Sequence, residues 1–249
     1  MNRRVVAGWT TSESIQQDMV LKTLLVYGNL DSTMKLNGGT NMYSQNADLK
    51  GFDTGFESLN KWTGGWRKGD LIILASRPAV GKTTCALNLA QKVCARDGVV
   101  DFFTLETIKL SLAKRMISSM ARINGVKWKN PTWPYNEEDR IKAIQALDIY
   151  KKWRFDIHDD QTLTISDIRA QVQETQIKYP NENYLVFIDY LQLITIIGQY
   201  DSHALAIFHF TKELKEIAEQ YQVPIILVSH LSSDVEVIFN KRPLLCDPL

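Results

Sequence analysis

Lys82, Thr83, Glu106, Asp189 and His230 are the residues whose types and settings in the chain suggest chemistry. The stretch Ser76-Arg77-Pro78-Ala79-Val80-Gly81-Lys82-Thr83-Thr84 joins the apolar run Leu71–Ala75 to a helical pattern from Cys85 to Ala90. In a strand–loop–helix junction of this kind the backbone N–H groups turn inward around phosphate oxygens. The helix N-terminus adds partial positive charge at the same place. Lys82 would reach the β- and γ-phosphates of a bound nucleotide, and the Thr83 hydroxyl would ligate Mg²⁺. Ser76 stands where the pattern usually opens with glycine, so the strict motif departs at one position. The alternative, a Gly-Lys pair in an ordinary strand-to-helix loop, leaves the ordered Pro, Gly, Lys and two hydroxyls unexplained.

Three more polar groups close apolar runs. Asp189 ends Tyr184-Leu185-Val186-Phe187-Ile188, the form of an acid that holds Mg²⁺ directly or through water, with a strand-end aspartate capping a loop as the alternative. Glu106 ends Val99–Leu105 and is a candidate general base for an attacking water, with a solvated loop glutamate as the alternative. His230 ends Pro224–Ser229 and either donates to a γ-phosphate or is a satisfied core histidine. His158, His203 and His209 lack metal-ligand spacing and read as structural.

Strands and helices must alternate to bring these groups together. Gly69-Asp70 launches the first core strand, and Asp97-Gly98 turns into the second, a continuous apolar run of the type covered on both faces. Helices are predicted from about Lys109 to Ile123 and from Asn136 to Trp153, followed by a short strand at Phe155–His158. Thr164 and Asp167 form a capping box for a helix ending near Tyr179-Pro180, and a long helix runs from about His203 to Tyr221. The fold class is therefore α/β, a mainly parallel sheet with helices on both faces. Ligands in such sheets bind beyond the C-terminal ends of the strands, where Lys82, Glu106, Asp189 and His230 would converge.

Length and composition bound the remaining readings. A chain of 249 residues buries one large core, or one core plus a small appendage. The net charge of +1 gives no overall field for nucleic acid, so any such contact needs a local patch. No apolar stretch approaches the roughly 20 residues that span a bilayer, and the start lacks a signal-peptide core, so no membrane partner and a cytoplasmic location are expected. Cys85, Cys94 and Cys246 show no paired spacing and read as buried, reduced thiols. Residues 1–50 read as an N-terminal helix, with Thr10 and Glu13 as a capping box ahead of Ile15, Met19, Leu21, Leu24 and Leu25, then a linker at Asn37–Asn41. The main core is expected to occupy 51–249. Its aromatic opening, Phe52 to Trp66, covers the sheet edge or, alternatively, stacks on nucleobases.

Arg77–Thr84, Thr104-Leu105-Glu106, Ile188-Asp189-Tyr190-Leu191-Gln192-Leu193 and Lys241-Arg242-Pro243 together resemble the DnaB-type hexameric replicative DNA helicases, in order and spacing over roughly residues 51–247. The resemblance implies a RecA-like ATPase domain, with ATP and Mg²⁺ as cofactors. It implies ATP-driven translocation on single-stranded DNA by a ring of six identical subunits, with a primase or helicase loader as possible partners. It makes Glu106 the catalytic glutamate, Asp189 the Mg²⁺-organising acid and His230 a γ-phosphate sensor where the family usually carries Gln. Residues 1–50 are short for the family's N-terminal collar, and the chain stops near where the family's DNA-gripping loop and arginine finger would follow. Two alternatives thus stand beside the helicase: a RecA/RadA-like recombination ATPase, and an ATP-binding regulator of a helicase ring that does not itself unwind.

Candidate DNA contacts are Lys241 and Arg242, at the end of the segment from Ser232. The stretch from Thr107 to Asn136 has no acidic residue and carries Lys109, Lys114, Arg115, Arg122, Lys127 and Lys129. It is either a phosphate-contacting stripe or, as the commoner case, a solvated helix face.

Overall fold

The computed structural model describes residues 3–5, 24–27, 49–76, 80–128, 136–160, 162–189 and 203–230. Its strands are β1 (Arg3–Val5), β2 (Leu24–Tyr27), β3 (Leu71–Ser76), β4 (Val99–Thr104), β5 (Arg154–His158), β6 (Tyr184–Asp189) and β7 (Ile225–His230). Its helices are α1 (Glu57–Thr63), α2 (Lys82–Cys94), α3 (Lys109–Ala121), α4 (Glu137–Tyr150), α5 (Ile165–Lys178) and α6 (His203–Tyr221). The strands form one sheet in the order β1-β2-β3-β7-β6-β4-β5. The five from β3 to β5 run parallel, and β1 and β2 add an antiparallel margin.

Alternation along each strand divides the core into two layers. One face presents Ile72, Leu74, Val100, Phe102, Leu185, Phe187, Ile226 and Val228 to α2, whose Ala86, Leu89 and Ala90 fit closely against the sheet. The other presents Val99, Phe103, Val186, Ile188, Ile225 and Leu227 to Ile168 and Val172 of α5 and to Leu214 and Ile217 of α6. The predicted capping box at the start of α5 is present in both directions, Thr164 with Asp167. Cys85 and Cys94 are buried and free, and burial pushes both thiols up to about 12. No helix among the described residues is long and apolar enough to cross a membrane.

The N-terminal reading needs correction. Leu24 and Leu25, expected on an amphipathic helix, lie in β2, where Leu24–Tyr27 pairs antiparallel with Leu71–Leu74. The open edge of β3 offers that run a hydrogen-bonded ladder, which outweighs its helical spacing. The predicted helix start at Thr10 and Glu13 and the linker at Asn37–Asn41 lie outside the described residues. The aromatic opening is partly core. Trp66 is 1% exposed and bridges to Phe52, and Phe52 and Phe56 pack against the layer that holds α2. In the basic stretch Lys127 is paired with Asp139, which removes it from any free stripe, and Lys129 lies outside the described residues.

A buried polar cluster interrupts the α5 face of the sheet. Asp101 of β4 accepts from Tyr184 Oη at 2.6 Å and lies 2.9 Å from His158 Nε2. The His158 ring stacks on Phe103 with centroids 4.6 Å apart. Burial, with the Asp101 carboxylate beside it, drives the Tyr184 phenol far above its usual range. His158 is thus structural, as its spacing predicts.

Candidate nucleotide site

Register lines up the ends of the four central parallel strands. Ser76 of β3 lies opposite His230 of β7, while Asp189 of β6 lies opposite Val228 on one side and Thr104 of β4 on the other. Each strand leaves the sheet at nearly the same level, so the residues just beyond them share one rim.

The junction after β3 turns through Gly81, whose φ of 101° is left-handed and strained for any residue with a Cβ. Gly81 is the N-cap of α2, its C=O accepts the Cys85 N–H at 2.9 Å, and no side chain caps this helix end. The first turn of α2 holds no acidic residue, so its N–H groups and dipole point at the rim uncompensated. Lys82 opens the helix and crosses to β7, placing Nζ 2.9 Å from His230 Nδ1. An ammonium can only donate, so this contact takes the imidazole in its neutral form with the proton on Nε2. Burial lowers the Lys82 pKa, and the nearby Asp189 and Glu106 carboxylates oppose that shift. Burial also lowers His230, the Lys82 ammonium pushes in the same direction, and Glu106 opposes both. The charges of Lys82 and Glu106 therefore act on both Asp189 and His230.

Asp189 is 1% exposed and neither carboxylate oxygen has a hydrogen-bond partner. Desolvation raises its pKa; the Thr83 hydroxyl lowers it, Glu106 raises it, and Lys82 and Arg115 lower it. Thr83 stands near enough to favour the charged form without a hydrogen bond of ordinary geometry to either oxygen. A buried, unpartnered carboxylate beside a hydroxyl is a hard-oxygen donor set, and it fits a divalent cation such as Mg²⁺. No cluster of three or more His, Cys, Asp or Glu able to hold a metal occurs among the described residues.

Glu106 is exposed at the turn after β4. Leu105 N–H donates to the Asp189 C=O at 3.0 Å, tying that turn to β6. Thr104 Oγ1 donates to the Thr107 C=O at 3.0 Å and accepts the Thr107 N–H at 3.2 Å, closing the turn on itself. Of the sequence-predicted site residues, Ser76, Gly81, Lys82, Thr83, Glu106, Asp189 and His230 thus lie on the rim, with Val80 and Thr84 beside them. Arg77, Pro78, Ala79, Lys241 and Arg242 lie outside the described residues. Arg115 of α3 is a charge at this site that the spacing of the basic stretch did not single out.

The family described as the DnaB-like helicase C-terminal domain matches residues 51–248. The replicative DNA helicase DnaC of Bacillus subtilis is 36% identical over 208 residues, covering 83% of this chain and 45% of that protein. The replicative DNA helicase DnaB of Geobacillus stearothermophilus is 33% identical over 208 residues, again 83% of this chain and 45% of its own length. The chain therefore spans slightly under half the length of these relatives. A solved DnaB-like replicative helicase, described with its interactions with primase, superimposes with a TM-score of 0.77 at 31% identity, covering 82% of this chain and 48% of that one. A separately solved ATPase domain superimposes with a TM-score of 0.76 at 32% identity, covering 80% of this chain and 70% of its own. The chain belongs to the DnaB-like helicase C-terminal domain family and has its RecA-like α/β fold.

Proposed function

We propose that this chain is the ATP-hydrolysing motor of a replicative DNA helicase, coupling turnover to movement along single-stranded DNA and to duplex unwinding. The observation that carries the reading is the meeting of Lys82, His230, Asp189 and Glu106, which come from four strand ends, in a chain of this family. Residues 76–84 bind the triphosphate of ATP, with Lys82 exchanging its contact to His230 for the β- and γ-oxygens. Thr83 and Asp189 would hold Mg²⁺, which when bound would neutralise charge on the nucleotide's phosphates. Glu106 accepts a proton from the attacking water and orients it in line with the γ-phosphorus. His230, neutral and bearing its proton on Nε2, donates to the γ-phosphate.

Under this reading residues 51–249 form the ATPase domain, with 1–50 as an N-terminal extension that lends two strands to the same sheet. The motor works in the cytoplasm as a hexameric ring, with single-stranded DNA and a primase or helicase loader as partners. Lys241 and Arg242 neutralise DNA phosphates. The test is DNA-stimulated ATP hydrolysis and forked-duplex unwinding by the chain beside a Lys82→Ala control. Unwinding that the control lacks supports the motor. ATP binding with no turnover, alone or with DNA, replaces it with a regulatory ATP-binding role.

A further inference from the structure

We infer that Asp159, which lies 53 positions after Glu106 in the sequence, is a positioning residue that fixes the Glu106 turn. The inference rests on the reading of Glu106 as general base. The turn from Glu106 to Ile108 runs straight into α3, and Ile108 at its N-cap has no side chain able to cap the helix. The cap is instead supplied by the residue that follows β5: Asp159 Oδ2 accepts the Lys109 backbone N–H at 2.7 Å. A carboxylate at a helix N-terminus is favoured by both the hydrogen bond and the dipole.

The geometry makes this bond one of three anchors around Glu106, and the one that comes from β5's side of the sheet. Leu105 N–H is held by the Asp189 C=O on one side of the residue; on the other, Thr107 is held by Thr104 Oγ1 and Lys109 N–H by Asp159. The Glu106 carboxylate itself makes no hydrogen bond or ion pair among the described residues, so its direction is set by the backbone between the anchors. Asp159 is a firm post in turn. It follows His158, which is fixed to Asp101 at 2.9 Å and stacked on Phe103, and β5 is in parallel register with β4. One end of α3 is thereby tied to the sheet edge beyond β4, and the general base to the far side of the strand that delivers it.

Two substitutions remove the same bond from opposite ends. Asp159→Ala removes the acceptor. Lys109→Pro removes the donor at the first helical position, where proline is tolerated, and Ile108 at φ −59° and ψ 142° already has the extended conformation that proline requires before it. ATP hydrolysis is measured with single-stranded DNA for each, for the pair combined, for Asp159→Asn, and in a Glu106→Gln background. Binding of a fluorescent ATP analogue and thermal melting are followed in parallel. Each single change should lower kcat roughly tenfold or more through misplacement of the base, while nucleotide affinity stays within about twofold. The pair combined should be no worse than either alone, Asp159→Asn, which keeps an acceptor oxygen, should recover most of the rate, and Asp159→Ala should change nothing in the Glu106→Gln background. Full kcat in both single variants, or an equal further loss in the Glu106→Gln background, overturns the inference alone. If Glu106→Gln turns over like the unaltered chain, the reading of Glu106 fails and the inference with it. Should Asp159→Ala not fold, Lys109→Pro decides the matter.

Discussion

Asp189→Asn should make the nucleotide-free protein more stable while removing its response to Mg²⁺ and ATP. The Asp189 carboxylate is 1% exposed, both oxygens are buried without a hydrogen-bond partner, and burial is the leading cause of its raised pKa. An unsatisfied buried polar group costs about 1–3 kcal/mol, and more when charged. The amide keeps the shape and removes the charge, so recovery of about 1–2 kcal/mol is expected, or about 2–4 °C in Tm for each kcal/mol in a chain of this size. The pH dependence has a definite sign. A carboxyl whose folded pKa lies above its unfolded value lets the native state bind more protons, so stability falls as pH rises through that window. The advantage of Asp189→Asn should therefore be largest at neutral pH and shrink as pH falls into the carboxylate range. Melting curves of both proteins, with and without MgATP, test this directly. An unchanged or lower Tm for the free variant would refute the idea of a carboxylate held in strain for a cation. Undiminished stabilisation by MgATP would refute its place at the metal.

His230 titrates below its ordinary 6.5, so the folded state binds fewer protons there than the unfolded one. The stability it contributes is full above the unfolded pKa and is lost as pH falls through the window below it; pH-dependent melting of His230→Gln should flatten that slope. Tyr184→Phe leaves a buried Asp101 oxygen without its 2.6 Å donor and should cost about 1–3 kcal/mol in urea unfolding, with nucleotide affinity unchanged. Gly98→Ala would bring a Cβ to 2.5 Å from Val93 Cγ1 and 2.9 Å from the Val93 C=O, so overpacking should cost about 1–3 kcal/mol by the same measurement.

What could be read in advance depended on how local each feature is. The β3–α2 junction is legible because strand, turn and helix signals lie within one short stretch, and Gly81 has the left-handed backbone that such a turn uses. The rim was legible by rule, since polar residues at the ends of parallel strands share an edge. Its contacts were not: Lys82 and His230 are 148 positions apart and meet only because β3 and β7 are adjacent in register. Asp101 looked like one polar letter in an apolar run, and only the register with β5 and β6 reveals His158 and Tyr184 as its partners. Helix α1 was missed because seven residues, set between Gly55 and Gly64, carry too little periodicity. The cap on α3 comes from the residue just past β5, and its one sequence trace is negative, the lack of Ser, Thr, Asp or Asn at Ile108.

The most direct measurement is single-turnover phosphate release by Glu106→Gln with ATP, Mg²⁺ and single-stranded DNA, beside the unaltered chain. With a general base lost, ATP should still bind while release slows by roughly 10²–10⁴-fold or more. Release at the unaltered rate would contradict the convergence of distant strand ends on one triphosphate, because the group best placed to activate its water would then have no part in the reaction.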